Sequence, residues 1–377
     1  MQDHNNHFDV IVLGSGLIGS MIADHAQNHG LKTALLGINK VGQVSYSAVG
    51  LIRNEFFNLP DCIAKLLTGS DPQTQYQHLN RQVLNDTGLP IGYRLLPLAI
   101  LDATQEQSQR FPKTLKSKDE NSNRAFQIEP SELSQKIPQL RETIASSIYY
   151  PARAIIDTQL LCDAIALKLT KHGGWVNRNL HTTAPVYDKN RVIGVKSIQG
   201  DNSWHFHSNH VVVATGIWSS ELLPETFEIP LIQNFAHTLT MPNNTNLSSA
   251  ITQNDLTIIP LDSDEILVTF IERPMNTNIL PKIKLHQKIL NAVKKLIPPQ
   301  DINNIIDHST SRLSALPDGL PIVGNTETEG LQIATGHDLL GITLAGETAK
   351  LIVKNILSEK PNPLGIHLSP LRYLRHR

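Results

Sequence analysis

Cysteine is almost absent. Cys62 and Cys162 are the only two in 377 residues, too few for a disulfide framework, and neither sits in a CxxC pair. That usage fits a reducing compartment. Long apolar runs are missing as well. Val10 to Leu13 and Val211 to Ala214 are strand-sized, far short of the ~20 residues of a membrane-spanning helix. The segment Met1 to His7 is polar and lacks the basic stretch and apolar core of a secretory signal. The expected location is cytoplasmic. A peripheral position at the inner face of a membrane is the alternative, because the tail Pro370 to Arg377 is basic, although a solvated tail is the simpler reading.

An excess of charge of either sign is lacking too. Lys and Arg number 33 against 34 Asp and Glu, for a net charge of -1. This leaves no basic domain for nucleic acid, so none is expected as a partner. Sixteen histidines are scattered without HExxH or any other metal-ligand spacing, and no metal site is expected. What remains is an ordinary globular composition, 40% hydrophobic and 18% charged. The length suits two domains or one interleaved pair.

The clearest pattern comes first. Phe8 to Leu13 is an apolar run of strand length, Gly14-Ser15-Gly16-Leu17-Ile18-Gly19 follows, and Ser20 to His29 reads as a helix closed by Gly30. Lys32 to Leu36 is a second strand. This β–turn–α–β unit has the spacing of a dinucleotide site. Gly14 permits the tight turn, Gly16 lets backbone approach a pyrophosphate, and Gly19 lets the helix pack close on the strand. The first helical amides and the helix dipole then meet the phosphate charge. An acidic residue is expected about 20 residues on, where it bonds ribose hydroxyls. Gly37, followed by Ile38, stands there instead.

Further on, Thr68 to Asn85, Pro130 to Leu140, Asp157 to His172, Leu285 to Ile297 and Gly341 to Leu357 read as helices. Trp175 to Val186, Arg191 to Ile198, His210 to Gly216, Leu256 to Pro260, Glu265 to Ile271 and Leu331 to Thr335 read as strands. Arg110 to Arg124 reads as a solvated loop. The αβ units lie at the start, middle and end, with β-rich stretches between. The expected fold class is α/β, a Rossmann-like domain interleaved with a substrate domain of mixed β-sheet plus helices.

Five segments carry a resemblance to a known family. They are the GSGLIG turn, the loop Ser45 to Leu51, the strand Val211 to Trp218, and the pair Pro317 to Gly324 and Thr335 to Ala345. Together they resemble the FAD-dependent D-amino-acid oxidase superfamily, especially its glycine-oxidase-like and D-amino-acid-dehydrogenase-like branch, from Asp9 to about Arg372. The resemblance implies that FAD is the cofactor. It implies an FAD-binding domain built from 1–90, 145–222 and 313–377, and a substrate domain built from 91–144 and 223–312. It further implies hydride removal from the carbon bearing an amine to flavin N5, giving an imine that water hydrolyses. The flavin carries that chemistry, and oxygen or a quinone-like carrier reoxidises it. The implied substrate is a small amino acid or amine.

The same resemblance assigns residues. Gly14 through Gly19, Gly37 and Ile38 would meet the adenine half, with Val186 touching adenine through its backbone. Val44, Ser45, Val49, Gly50 and Leu51 would run along pyrophosphate and flavin, with Ala214, Thr215, Gly216 and Trp218 nearby. Gly336, His337, Asp338, Leu339, Leu340, Gly341, Ile342 and Thr343 would wrap the flavin pyrimidine. Read from the residues alone, Gly341 opens a helix whose positive end suits the charge developing at flavin O2.

Several positions depart from the family. Its substrate-carboxylate Arg falls on Leu313, with Arg312 next to it. Neighbours on a strand face opposite sides, so a one-residue bulge would be needed to restore Arg312 to that place. A pocket Tyr falls on Thr257, and a sheet Gly on Gln233. The candidate catalytic-site residues are Arg312 and Arg53 as carboxylate anchors, and His337 as a structural contact to flavin. His237 reads as a satisfied strand histidine. These departures motivate a second reading, an FAD-binding subunit of a hetero-oligomeric dehydrogenase or a family member with little activity alone, and a homo- or hetero-oligomer stays open as its assembly. An NAD-dependent dehydrogenase is the third reading. It expects the acidic residue missing at Gly37.

Overall fold

The computed structural model describes residues 6–38, 50–52, 61–67, 71–103, 125–141, 146–180, 182–199, 202–224, 227–273, 282–298, 300, 302–359 and 363–373. The chain opens with β1 (Val10–Leu13), α1 (Leu17–Asn28) and β2 (Thr33–Ile38). Helices α2 (Asp61–Leu67) and α3 (Pro72–Thr87) follow. Next come β3 (Arg94–Leu101), β4 (Phe126–Ile128), α4 (Pro130–Lys136), β5 (Ser147–Ile155) and α5 (Thr158–Lys171). A run of strands comprises β6 (Trp175–Leu180), β7 (Thr182–Asp188), β8 (Arg191–Gln199), β9 (Asn202–His207) and β10 (Val211–Val213). Another comprises β11 (Ile232–Pro242), β12 (Ala250–Gln253), β13 (Leu256–Pro260) and β14 (Glu265–Glu272). The chain then forms α6 (Lys282–Leu296), β15 (Asp307–Ala315), β16 (Ile322–Asn325), β17 (Leu331–Thr335) and α7 (Gly341–Ile356).

One sheet has the order β16-β17-β10-β1-β2-β6. Its strands run parallel except β16, which is antiparallel to β17. Alternation sends Val10 and Val12 to one face, where Ile22 and Ala26 of α1, Ile165 of α5 and Ile352 of α7 close over them. Ile11 and Leu13 face the other way, onto Val192, Val195 and Phe206 of the small sheet β7-β8-β9. Burial on both faces is why β1 reads as an unbroken apolar run, VIVL.

The second sheet has the order β15-β11-β14-β13-β12-β3-β5-β4 and is antiparallel except for the pair β12–β3. One face packs Leu239, Met241, Ile258 and Val268 against Leu285, Ile289 and Val293 of α6. The opposite face, at β11, β14 and β15, turns toward the carboxyl ends of the first sheet. The run Trp175 to Val186, expected as one strand, is two strands in different sheets. It divides between Leu180 and Thr182. Strand β5 belongs to the second sheet although its residues fall within 145–222. Among the described residues no helix is long and apolar enough to cross a membrane.

A buried ion pair pins α1 to α5. The ammonium of Lys168 donates to Asp24 Oδ1 at 2.8 Å and to Asn28 Oδ1 at 3.1 Å, and the two charged side chains are only 6% and 7% exposed. Asp86, half-exposed, is the next carboxylate at 3.9 Å from the ammonium, so removing Asp24 leaves a buried charge whose nearest partner is longer and more solvated. Asp24→Leu is therefore expected to lower unfolding free energy by about 3–5 kcal/mol in urea titrations, whereas the double change Asp24→Leu with Lys168→Met recovers most of that loss. Equal destabilisation of the single and double variants would contradict this account.

Candidate functional site

Three turns end adjacent strands of the first sheet, and they converge. Gly14, at φ +111, leaves β1. A Cβ on it would lie 2.3 Å from the carbonyl oxygen of Ala214, just past β10. A Cβ on Gly19 would lie 1.7 Å from the Gly14 oxygen, so bare backbone is what lets α1 sit against the turn. Gly216, at φ +60, begins the second turn. Its carbonyl accepts a 2.8 Å hydrogen bond from Thr335 Oγ1 at the end of β17. Gly336, at φ +78, and Asp338, at φ +44, shape the third turn, and Asn234 Nδ2 holds Asp338 Oδ1 at 3.1 Å.

One cavity, partly open to solvent, runs along all three turns. Two helix N-termini meet it, α1 at Gly16 to Ile18 and α7 at Gly341 and Ile342. Neither carries a side-chain cap, so their positive ends face the cavity. Tyr76 Oη fixes the first turn of α7 by donating to Ile342 O at 2.7 Å. The far wall belongs to the second sheet: Ala236, Thr257, Thr269, Ile271 and Leu313. An elongated cleft with a helix N-terminus at each of two stations suits a long anionic cofactor, with its pyrophosphate at α1.

The expected residues divide as follows. Gly14, Ser15, Gly16, Leu17, Ile18, Leu51, Ala214, Thr215, Gly216 and Trp218 line the cavity. So do His337, Asp338, Leu339, Gly341, Ile342 and Arg312. Gly19, Gly37, Gly336, Leu340 and Thr343 belong to the same turns and elements without lining it, Ile38 ends β2, and Gly50 directly precedes Leu51. Val186 lies on β7, opposite Gly194. Arg53, Val44, Ser45 and Val49 lie outside the described residues.

Gly37 has a packing reason. A Cβ there would sit 2.3 Å from Ser15 Oγ and 2.8 Å from Arg178 Cα. No acidic side chain fits between β2 and β6. Gly37→Glu is thus expected to cost about 3 kcal/mol of stability and to lower flavin retained per protein. Thermal melts and the flavin-to-protein absorbance ratio check this, and a variant as stable as its parent with more flavin would refute it.

Strand β15 pairs with β11 in unbroken register, Asn234 opposite Leu313 and Phe235 opposite Arg312. No bulge exchanges the two residues. Leu313 faces the cavity beside Ala236 and Ile271. Arg312 is exposed and borders the cavity from the reverse side of this edge strand. It makes no ion pair or hydrogen bond among the described residues. His237 is 2% exposed on that reverse face, bonded to Thr310 Oγ1 at 3.0 Å and Glu272 Oε2 at 3.1 Å. It is a satisfied strand histidine, as expected. Sequence reading missed Thr158, Ile217, Ala236, Thr269, Ile271, Ser314, Ala334 and Thr335 as lining residues. Alternation along β14 was the available signal for Thr269 and Ile271.

His337 is buried, and its Nε2 is 2.9 Å from Thr348 Oγ1. Burial pulls its pKa down to about 4, so the ring is neutral in the folded chain near neutral pH. The unfolded chain protonates this histidine below about pH 6.5, so its contribution to stability is lost as pH falls from about 6.5 toward 4. In His337→Gln, the stability difference between about pH 7.5 and about pH 4.5 is expected to shrink by on the order of 2–3 kcal/mol. Urea titrations at the two pH values measure it, and an unchanged difference would remove His337 from the acid response.

Comparison with known proteins agrees with this geometry. A family profile described as "DAO: FAD dependent oxidoreductase" matches residues 9–355. The bifunctional protein ThiO/ThiG of Trichormus variabilis is 25% identical over 371 residues, covering 97% of this chain and 55% of that protein. The chain thus spans about half the length of that relative. Glycine oxidase of Bacillus licheniformis is 22% identical over 366 residues, covering 93% of each. The crystal structure of glycine oxidase from Geobacillus kaustophilus superposes with a TM-score of 0.80 at 19% identity, covering 98% of this chain and 100% of that one. That likeness concerns the fold. With a profile match over most of its length and a cavity suited to the cofactor, the chain belongs to the DAO family of FAD-dependent oxidoreductases, with FAD as its cofactor.

Proposed function

We propose that this protein oxidises the C–N bond of a small amino acid or amine. The supporting observation is the composition of one cavity: three glycine turns and two uncapped helix N-termini on one wall, and small, apolar and hydroxyl side chains on the other. Relatives named glycine oxidase agree with that reading. The first turn of α1 would hold the pyrophosphate. The turns at Thr215 to Trp218 and His337 to Ile342 would hold the remainder. Bound FAD supplies the two-electron acceptor for the C–H bond beside the nitrogen.

The chain's own groups orient the substrate. The hydroxyls of Thr257 and Thr269, opposite each other on β13 and β14, accept from an amine N–H. Arg312 at the rim offers a guanidinium fork to a carboxylate. The buried, neutral His337 lines the cavity and would border the bound cofactor. The positive end of α7 stabilises negative charge developing next to it. No nucleophile is required. The product imine is hydrolysed by water, and oxygen or a quinone-like carrier accepts the electrons in a cytoplasmic setting.

The test is an anaerobic panel. The purified chain is expected to be yellow, and at least one amino acid or secondary amine is expected to bleach its band at about 450 nm. A yellow protein that no amine bleaches would instead mark a cofactor-holding subunit that needs partner chains. A colourless protein would overturn both readings.

A further inference from the structure

On the C–N oxidation reading above, we infer that the cavity contains an apolar subsite for the substrate's side chain, centred on Leu313, and that it selects branched aliphatic amino acids over glycine. Four residues build it. Leu313, Ala236 and Ile271 are 4%, 6% and 5% exposed and form one cluster, with Leu339 packed against them. They come from β15, β11 and β14 and from the turn before α7. All four line the cavity. The register fixes their common side, since Ala236 stands opposite Ile271, and Leu313 opposite Asn234.

The polar groups lie to either side of this cluster. Thr269 is two residues from Ile271 on the same face of β14, and Thr257 is opposite Thr269. The cavity face therefore changes from apolar to hydroxyl within two residues of one strand. A carboxylate pressed against Leu313, Ala236, Ile271 and Leu339 would lose its hydration with no cation of the described residues in that cluster. An alkyl group in the same place would leave water for apolar surface, as burial favours. Arg312, on the reverse side of edge strand β15, borders the cavity, exposed and without an ion pair among the described residues. A substrate whose amine meets the threonines has the Leu313 cluster two residues away along β14, within reach of its side chain. Glycine has no group to fill it.

Equilibrium titration calorimetry of the FAD-loaded protein tests this without turnover. The probes are acetate, 4-methylpentanoate and 4-methylpentanamide. 4-Methylpentanoate is expected to bind at least about tenfold more tightly than acetate, the ratio that burying a leucine-sized group supplies. Leu313→Arg is expected to bring that ratio to about one, and Leu313→Ala to reduce it several-fold, so the test stands if the arginine variant fails to fold. Arg312→Met is expected to lower the preference for acid over amide about tenfold or more, with the preference for the longer chain kept. Equal affinity of the parent protein for acetate and 4-methylpentanoate would overturn the subsite. So would an undiminished ratio in both Leu313 variants. If the acids bind in the expected order while no amine bleaches the flavin, the subsite stands and the C–N oxidation reading falls.

Discussion

The approach of Gly14 to the carbonyl of Ala214 is the contact on which the remaining geometry depends. Strands β1 and β10 are neighbours in a parallel sheet, and every residue of each is fully buried. Their carboxyl ends can meet only as bare backbone, because any Cβ on Gly14 would come within 2.3 Å of that oxygen. With the two ends closed, the bond from Thr335 to the carbonyl of Gly216 draws in β17. Three loops far apart in sequence thereby share one edge of the sheet. The cofactor cleft of an open α/β sheet forms at this edge, outside the strand ends. Spreading any of the three loops would break the continuous wall between the N-terminus of α1 and that of α7.

Much of that wall could be read from the sequence, because it is written locally. The turn after β1, the small residues after β10 and the segment opening α7 each combine an apolar strand with glycine at the position where a positive φ or close approach is needed. A periodic signal and its stop signal stand side by side in each case. The opposite wall, from the second sheet, was less readable. Ala236, Thr257, Thr269 and Leu313 come from four strands whose order, β15-β11-β14-β13, departs from their order in the chain. Pairing of that kind is a long-range property, and no single window of sequence carries it. The break near Leu180 had the same cause. The run looked like one strand, and the choice of different sheets for its two halves depends on partners elsewhere. Gly37 is similar. Its missing carboxylate was visible at once, but its reason lies in Ser15 and Arg178, which approach from two other segments.

The two faces of β15 do different work, and this bears on the guanidinium next to Leu313. One face meets the cavity, and the other carries a chain of polar contacts beneath α6. His237 bonds Thr310, Thr310 bonds His308, and His308 bonds His286 of α6. Strand periodicity is two, so a slip by one residue would exchange the faces. Arg312 would then stand among Ala236, Ile271 and Leu339, where the family's cation is expected, but the exchange would undo that polar chain. Thr310 would leave His237, and Ser314 would lose the backbone N–H of Gly336, which it accepts at 3.2 Å. Buried polar groups deprived of partners each cost about 1–3 kcal/mol. The register that keeps a leucine on the cavity's floor and an arginine at its rim is thus held by the polar bonds of the reverse face and by the bond of Ser314 to the third turn. The face that β15 turns to the cavity is thus fixed together with the polar contacts of its reverse face, the bond between His308 and His286 of α6 among them.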